Sequence, residues 1–163
     1  MNPNLVRIGT RLGELFGRPE EDVTIAVTPA GAPPYYSRLR TLDMYGLSDR
    51  WIARSGVLVS NNPGHQRFAP FHYLIDQRVN LVIGTPRVLP RGRAFDRPPT
   101  EAKFAELFRL ERYDPALLPA SARIVDIPLD RRLQLRILYL VQNDVVDAVI
   151  ASERLKTFPV PRY

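Results

Sequence analysis

Side chains able to carry chemistry are concentrated in one stretch of the chain, from residue 35 to residue 66. Its polar members are Asp43, Asp49, Arg50, Arg54, His65 and Gln66. Its aromatic members are Tyr35, Tyr36, Tyr45 and Trp51. Carboxylates and amides bind sugar hydroxyls in pairs, while aromatic faces cover the apolar side of a sugar ring. This combination predicts a site for a sugar or another polyol.

A purely structural interpretation of the same cluster stays open. Asp43 and Asp49 would then cap turns or pair with the neighbouring arginines Arg50 and Arg54. Trp51 and the tyrosines would pack in the hydrophobic core. The residue types alone do not decide between a sugar site and this structural role.

The two histidines differ in their sequence surroundings. His65 follows Asn-Asn-Pro-Gly and is predicted to lie on a loop, where it could act as an acid, a base or a hydrogen-bond donor. His72 lies in the apolar run PFHYLI and is expected to be partly buried. Together with Asp43 and Asp49, the histidines fit no known ligand spacing, so we expect neither a metal ion nor another cofactor.

Several kinds of catalytic or cofactor site lack a motif in this chain. It contains no cysteine, which excludes disulfides, thiolate zinc sites and cysteine nucleophiles. None of Ser37, Ser48, Ser55 and Ser60 lies in a Gly-x-Ser-x-Gly turn, so a serine hydrolase is not predicted. The glycines form neither a phosphate loop nor a dinucleotide fingerprint.

The overall composition is that of one globular domain with a basic surface. The 163 residues are 45% hydrophobic and 25% charged, enough for one hydrophobic core, and residues 1–163 are predicted to form a single domain. The net charge of +6 favours anionic partners. The arginines are spread along the whole sequence instead of forming a basic stripe, and we therefore expect no nucleic-acid partner.

Alternating helical and strand patterns position the polar cluster. Apolar spacing predicts helices at residues 4–16, 48–55, 67–78 and 101–113. Strands are predicted at residues 23–28, 40–44, 80–84 and 122–127. Asp43 would lie at a strand end, a position that often lines ligand sites in α/β sheets.

Three further segments complete the predicted fold. Residues 30–37 (AGAPPYYS) read as a Gly/Pro turn, and residues 88–99 as a surface excursion or binding loop. Residues 133–155 fit either a strand followed by a helix or one long helix. With 16 prolines, the fold class is predicted as α/β: a small mixed β-sheet with flanking helices and long Pro-rich loops, not a regular doubly wound sheet.

The chain has no membrane or export signal of its own. No stretch approaches the ~20 consecutive apolar residues that a membrane span needs, and the N-terminus has no long apolar segment. The chain is therefore expected either to be cytoplasmic or to be a piece of a longer protein whose other part supplies the membrane segments.

Three motifs, in order, carry a resemblance to a known class of protein. They are AVTPAGAPPYYS at residues 26–37, DMYGLSDRWIAR at residues 43–54 and PGHQR at residues 63–67. Together they resemble the soluble C-terminal domain of polytopic GT-C glycosyltransferases, especially mycobacterial-type arabinofuranosyltransferases. The resemblance covers about residues 20–85.

The resemblance implies an extracytoplasmic domain at the plasma membrane, attached to the transmembrane portion of a cell-wall glycosyltransferase. In GT-C enzymes the catalytic carboxylate lies near the first transmembrane helices, and the donor is a polyprenyl-phosphate sugar. This domain is therefore expected to have no catalytic residue and to help bind the cell-wall glycan acceptor or shape the active cavity. By motif match, its binding residues would be Asp43, Asp49, Arg54 and His65, with Tyr35 and Tyr36 as ring-stacking partners.

Three alternatives remain. The motifs could fix only the turns of the domain itself. The chain could be a freestanding small enzyme acting on a sugar or phosphate ester, with His65 as base and Asp43 as the carboxylate that orients it. It could also be a basic module that binds an anionic polymer.

Overall fold

A six-stranded mixed β-sheet forms the centre of the protein in a computed structural model, which describes residues 3–17, 22–92 and 97–161. Its strands are β1 (Thr24–Val27), β2 (Arg40–Asp43), β5 (Leu81–Pro90), β6 (Arg123–Pro128), β7 (Leu133–Tyr139) and β8 (Lys156–Pro159), in the spatial order β2-β1-β5-β7-β6-β8. A two-stranded sheet pairs β3 (Val57–Leu58) with β4 (Arg67–Phe68). The helices are α1 (Pro3–Phe16), α2 (Ala32–Ser37), α3 (Arg50–Ser55), α4 (Phe71–Asp76), α5 (Glu101–Phe108) and α6 (Asp144–Ser152), with a 3₁₀ turn at Pro115–Leu117. The described chain is therefore a mixed α/β fold, as predicted.

The sheet has a parallel half and an antiparallel half. β1 lies between β2 and β5 and is parallel to both, whereas β7 is antiparallel to β5 and β6, and β8 is antiparallel to β6. The chain leaves β1 through α2 and leaves β2 through α3 and α4. The order β2-β1-β5 is the one found where a doubly wound sheet changes direction, but antiparallel strands complete this sheet. The polar cluster of the sequence belongs to the parallel half.

Two hydrophobic clusters cover the two faces of the sheet. In β1, Ile25 and Val27 point to the cluster that contains Ile8 and Leu12 of α1, while Ala26 points to the opposite cluster. That second cluster takes Ile52 from α3, Phe71 and Leu74 from α4, and Phe104 and Phe108 from α5. Because β1 is buried on both faces, its residues Ile25, Ala26 and Val27 form a continuous apolar run instead of an alternating one.

Helix α2 corrects the prediction of a turn at residues 30–37. Pro33 and Pro34 occupy its first turn, where backbone N–H groups have no helical partner, so the prolines cost no hydrogen bond there. The helix packs directly on α1 at Gly9. A Cβ atom at Gly9 would lie 2.8 Å from Tyr36 Cβ and 2.9 Å from the Ala32 carbonyl oxygen. Glycine in α1 therefore allows α2 to lie in contact with its backbone.

Most other elements agree with the sequence prediction, but the helix predicted at residues 101–113 ends at Phe108, because Arg109 adopts a left-handed backbone conformation that ends it. The strands predicted at residues 23–28, 40–44, 80–84 and 122–127 are confirmed, and residues 133–155 are a strand followed by a helix. The helix predicted at residues 67–78 begins only at Phe71, because Arg67–Phe68 pairs as β4 and Pro70 starts the helix. β5 runs to Pro90, so the first part of residues 88–99 belongs to the sheet; residues 93–96 lie outside the described residues.

Candidate functional site

Asp43 fixes the turn at the end of β2. Its carboxylate is buried and accepts the backbone N–H of Tyr45 at 3.0 Å and that of Ser48 at 3.2 Å. Its carbonyl oxygen accepts the Gly46 N–H at 2.9 Å, and Gly46 has φ +70°, a conformation that glycine adopts readily. Asp43 therefore shapes the β2–α3 connection, as the structural interpretation of the cluster expects.

Asp49 begins α3 and ties it to α4. Its Oδ1 atom accepts the backbone N–H groups of Trp51 at 2.9 Å and Ile52 at 3.0 Å, which makes Asp49 the N-cap of the helix. The Tyr73 hydroxyl donates to Asp49 Oδ2 at 3.1 Å. Burial and, to a smaller extent, the neighbouring Asp49 carboxylate raise the pKa of Tyr73 to about 12, because both disfavour the phenolate.

Trp51 and Tyr73 form an aromatic platform. Their rings are parallel, 4.1 Å apart and 7° from coplanar, and the His72 ring meets the indole edge-on at 6.3 Å. Tyr73 is buried, whereas 39% of Trp51 is exposed. The indole is therefore held from one side by a tyrosine that Asp49 fixes, and part of it faces solvent.

A polar groove, here called the β2 groove, begins at Asp49, the residue that binds Tyr73 of this platform. A cavity of about 130 Å³ is lined by Asp43, Ser48 and Asp49, and a second one of about 430 Å³ adjoins it. The two share Thr24, Arg40 and Gln77 in their walls. The larger cavity is also lined by Asp22, Asp76, Arg78, Asn80, Gln142 and Asn143. Carboxylate, amide and guanidinium groups thus line the groove along the edge strand β2.

An aromatic contact joins the third sequence motif, residues 63–67, to the second, residues 43–54. The His65 ring lies edge-on to Tyr45 at 4.5 Å, and Tyr45 in turn meets the buried Phe68 at 5.1 Å. The Ser60 hydroxyl donates to the His65 carbonyl oxygen at 2.7 Å, which fixes the β3–β4 loop. In the described part of the chain, no hydrogen bond or ion pair joins His65 to Asp43.

The remaining predicted residues lie apart from the β2 groove. Arg54 is exposed in the last turn of α3. Tyr35 and Tyr36 are on α2, which packs on α1 at the opposite face of the sheet, and their rings meet each other edge-on at 5.1 Å. The structure therefore brings Asp43 and Asp49 to one cavity, places His65 on the neighbouring Tyr45, and separates both tyrosines of α2 from them.

Sequence reasoning missed two contributors and misjudged a third residue. Tyr73 lies in α4 and Gln77 is the C-cap residue of the same helix, and their spacing of four residues was the signal that could have placed them together. His72 is exposed instead of partly buried, because α4 turns its apolar residues Phe71 and Leu74 toward the core.

Two classes of feature are absent from residues 3–17, 22–92 and 97–161. These residues contain no group of three or more histidine and acidic side chains that could hold a metal ion. None of their helices is both long and apolar enough to cross a membrane.

Comparison with known proteins assigns the family. Residues 4–127 match the model of a domain of unknown function, DUF8728, and the chain belongs to this family. The match includes all three motifs and extends from α1 into β6. No curated protein and no solved structure matches the chain.

Proposed function

We propose that this chain is the soluble, extracytoplasmic domain of a membrane-bound cell-wall glycosyltransferase of the GT-C class, and that it binds the acceptor glycan without catalysing transfer itself. The observation that carries the proposal is the exposed indole of Trp51, held parallel to Tyr73, whose hydroxyl is bound by Asp49 of the carboxylate-lined β2 groove. The order of the three sequence motifs adds to it.

The aromatic platform supports sugar binding through its geometry. A sugar ring has an apolar face of C–H groups that packs on a rigid aromatic ring, and a fixed ring loses little conformational entropy on binding. Trp51 meets this requirement, because its ring stacks on Tyr73, and the hydrogen bond from the Tyr73 hydroxyl to Asp49 fixes the tyrosine in turn.

The β2 groove supports recognition of sugar hydroxyls. Each hydroxyl can donate to a carboxylate or carbonyl oxygen and accept from an amide or guanidinium group. Asp43 and Asp49 each keep lone pairs beyond those used by backbone N–H groups, and Gln77 and Arg40 supply donors in the same cavity. The groove lies along an edge strand, where a linear glycan can enter from solvent.

A fluorescence titration tests glycan binding directly. Trp51 is the only tryptophan of the chain, so its emission reports on the platform alone. Oligosaccharides of arabinan or galactan, added up to millimolar concentration, are expected to shift the emission and to saturate. No change for either series at millimolar concentration would contradict glycan binding.

Two matched variants locate the binding surface. Trp51→Ala is expected to weaken binding roughly 3- to 10-fold in calorimetry, the value of one aromatic stacking contact. Tyr35→Ala removes an exposed ring on the opposite face of the sheet and is expected to leave the affinity unchanged. If Tyr35→Ala weakens binding and Trp51→Ala does not, the glycan binds at α2 and the β2 groove is not the site.

The link to a membrane enzyme has its own test. The source gene is expected to encode several apolar segments of ~20 residues in frame with this domain. A reading frame without such segments would overturn this part of the proposal while leaving the glycan titration to stand separately.

A further inference from the structure

A buried ion pair joins two cavities in the antiparallel half of the sheet. Asp126 of β6 and Arg136 of β7 lie directly opposite each other, and the Arg136 Nε and Nη2 atoms donate to the two carboxylate oxygens, each at 2.7 Å. Asp126 lines one cavity and Arg136 lines the other. Both cavities are distinct from the β2 groove, with which they share no lining residue.

The cavity at Arg136, here called the α5 cavity, has a volume of about 500 Å³. Besides Arg136 its cationic side chains are Arg87, Arg97 and Lys103, and Glu106 is the acid among its described lining residues. Arg136 Nη1 donates to the Arg97 carbonyl oxygen at 2.8 Å, and this hydrogen bond joins two residues that line the cavity.

The cavity at Asp126, here called the β8 cavity, has a volume of about 490 Å³. Its cationic side chains are Arg91, Arg131, Arg154 and Lys156. Among its described lining residues Asp126 is the only acid, and its charge is already matched by Arg136. The β8 cavity is therefore strongly cationic.

The described lining residues of the α5 and β8 cavities are strongly cationic. Among the described residues that line them, eight side chains are cationic and two are acidic, a formal charge of +6. Both lysines of the sequence, Lys103 and Lys156, are among them. Arginines that are spread along the sequence are thus gathered by the fold, and like charges held this closely attract an anionic ligand.

The chemistry of the walls favours phosphate groups on a soluble ligand. Guanidinium groups donate two parallel hydrogen bonds to a phosphate, and lysine adds a point charge. The large exposed apolar side chains of the described chain are Tyr35, Tyr36, Leu47, Trp51, Leu58 and Leu117, and none of them lines either cavity. Stacking of nucleic-acid bases and insertion into a bilayer both need such side chains.

We propose that the α5 and β8 cavities together bind a soluble ligand that carries more than one phosphate group. The proposal does not depend on glycan binding at the β2 groove. One cationic cavity lies at each end of the ion pair. A ligand with two or more phosphate groups can place a phosphate in each cavity, whereas a single phosphate can occupy only one of them.

Calorimetry of the full chain with inorganic tripolyphosphate and orthophosphate tests the proposal. At equal ionic strength, tripolyphosphate is expected to bind roughly tenfold more tightly or better, with an affinity that falls as salt is added. Equal affinity for the two anions, or no binding of tripolyphosphate at millimolar concentration, would overturn it.

Paired variants separate the cavities from general surface charge. Lys103→Gln/Arg131→Gln removes one exposed cation from each cavity and is expected to weaken tripolyphosphate binding roughly tenfold or more. Arg38→Gln/Arg112→Gln removes the same charge from exposed positions outside both cavities, and it is expected to change the affinity for tripolyphosphate less than about twofold. Equal losses in the two double variants would assign binding to net charge and overturn the proposal.

Two competing partners complete the test. Vesicles with anionic lipid and a single-stranded oligonucleotide are titrated at the same total phosphate concentration as tripolyphosphate. Weaker binding of both supports a soluble phosphate ligand. Tighter binding of either one, reduced in Lys103→Gln/Arg131→Gln, would assign the cavities to that macromolecule instead.

Discussion

The Tyr73 hydroxyl donates to Asp49 Oδ2 at 3.1 Å, while Oδ1 of the same carboxylate caps α3. One side chain thus begins a helix and ties it to the next. Since Tyr73 also lies parallel to Trp51, the position of the exposed indole depends on Asp49. The Asp49 carboxylate therefore positions the aromatic platform whether or not it contacts a ligand itself.

Replacing Asp49 separates its capping role from its charge. Asp49→Ala removes the cap and the Tyr73 acceptor, and we expect the free energy of unfolding to fall by about 1–2 kcal/mol in urea denaturation. Asp49→Asn keeps a capping oxygen, so its free energy of unfolding is expected to fall much less. If both variants lose the same amount, the carboxylate charge stabilises the protein and the cap does not.

Alkaline pH provides a second test of the same contact. The fold raises the pKa of Tyr73 from 10.0 to about 12, so the native state holds the phenolic proton more tightly than the unfolded chain does. The resulting stabilisation is complete below pH 10 and is lost as the pH rises toward 12. We expect urea denaturation to show a shallower loss of stability over this range in Tyr73→Phe than in the unchanged protein.

Tyrosinate absorbance supplies the control for this titration. Asp49→Asn removes the negative charge beside the hydroxyl, so the pKa of Tyr73 is expected to fall and part of the absorbance change to move to lower pH. A titration curve that is identical in Asp49→Asn and the unchanged protein would contradict the contact between the two side chains.

Local patterns predicted the sheet well and the surroundings of the site less well. The strand at Thr24–Val27 could be recognised because it is rich in β-branched residues and bounded by an acidic cluster and Pro-Ala-Gly. β8, at Lys156–Pro159, was missed because only Phe158 in it is buried, and a single buried residue gives no period. α2 was missed because its two prolines signal a turn as well as a helix start.

The candidate sites depend on contacts between distant segments, which a single sequence does not display. Asp49 was recognisable as a cap before a helical stretch, but its partner Tyr73 comes from another helix. The α5 and β8 cavities depend on contacts between distant segments to a greater extent. Arg91, Lys103, Arg131 and Lys156 are separated by more than ten residues each. The pairing of β5 with β7 and of β6 with β8, together with the packing of α5 on β5, brings them to one end of the sheet.

The contact between α1 and α2 predicts an unusual effect of alanine in a helix. Alanine ordinarily stabilises a helix by about 1 kcal/mol over glycine. At Gly9, however, the added methyl would lie 2.8 Å from Tyr36 Cβ and 2.9 Å from the Ala32 and Pro33 carbonyl oxygens. We therefore expect Gly9→Ala to destabilise the protein by about 1–3 kcal/mol, because α2 must move away from α1.

The neighbouring exposed residue gives the matched control. Thr10→Ala adds no atom to the contact and raises helix propensity, so thermal unfolding should show no loss of stability. A gain of stability in Gly9→Ala would show that α2 does not rest on α1 as described.

The ion pair between the two cationic cavities predicts strong coupling between its members. Arg136→Met leaves the buried Asp126 carboxylate without its cation, and Asp126→Val removes the carboxylate that neutralises Arg136, so each single variant is expected to lose about 3–5 kcal/mol in urea denaturation. Arg136→Met/Asp126→Val removes both charges together. It is expected to lose far less than the two single losses combined, since an apolar pair of similar volume costs no desolvation of charge. Additive losses would contradict a direct coupling between the two side chains.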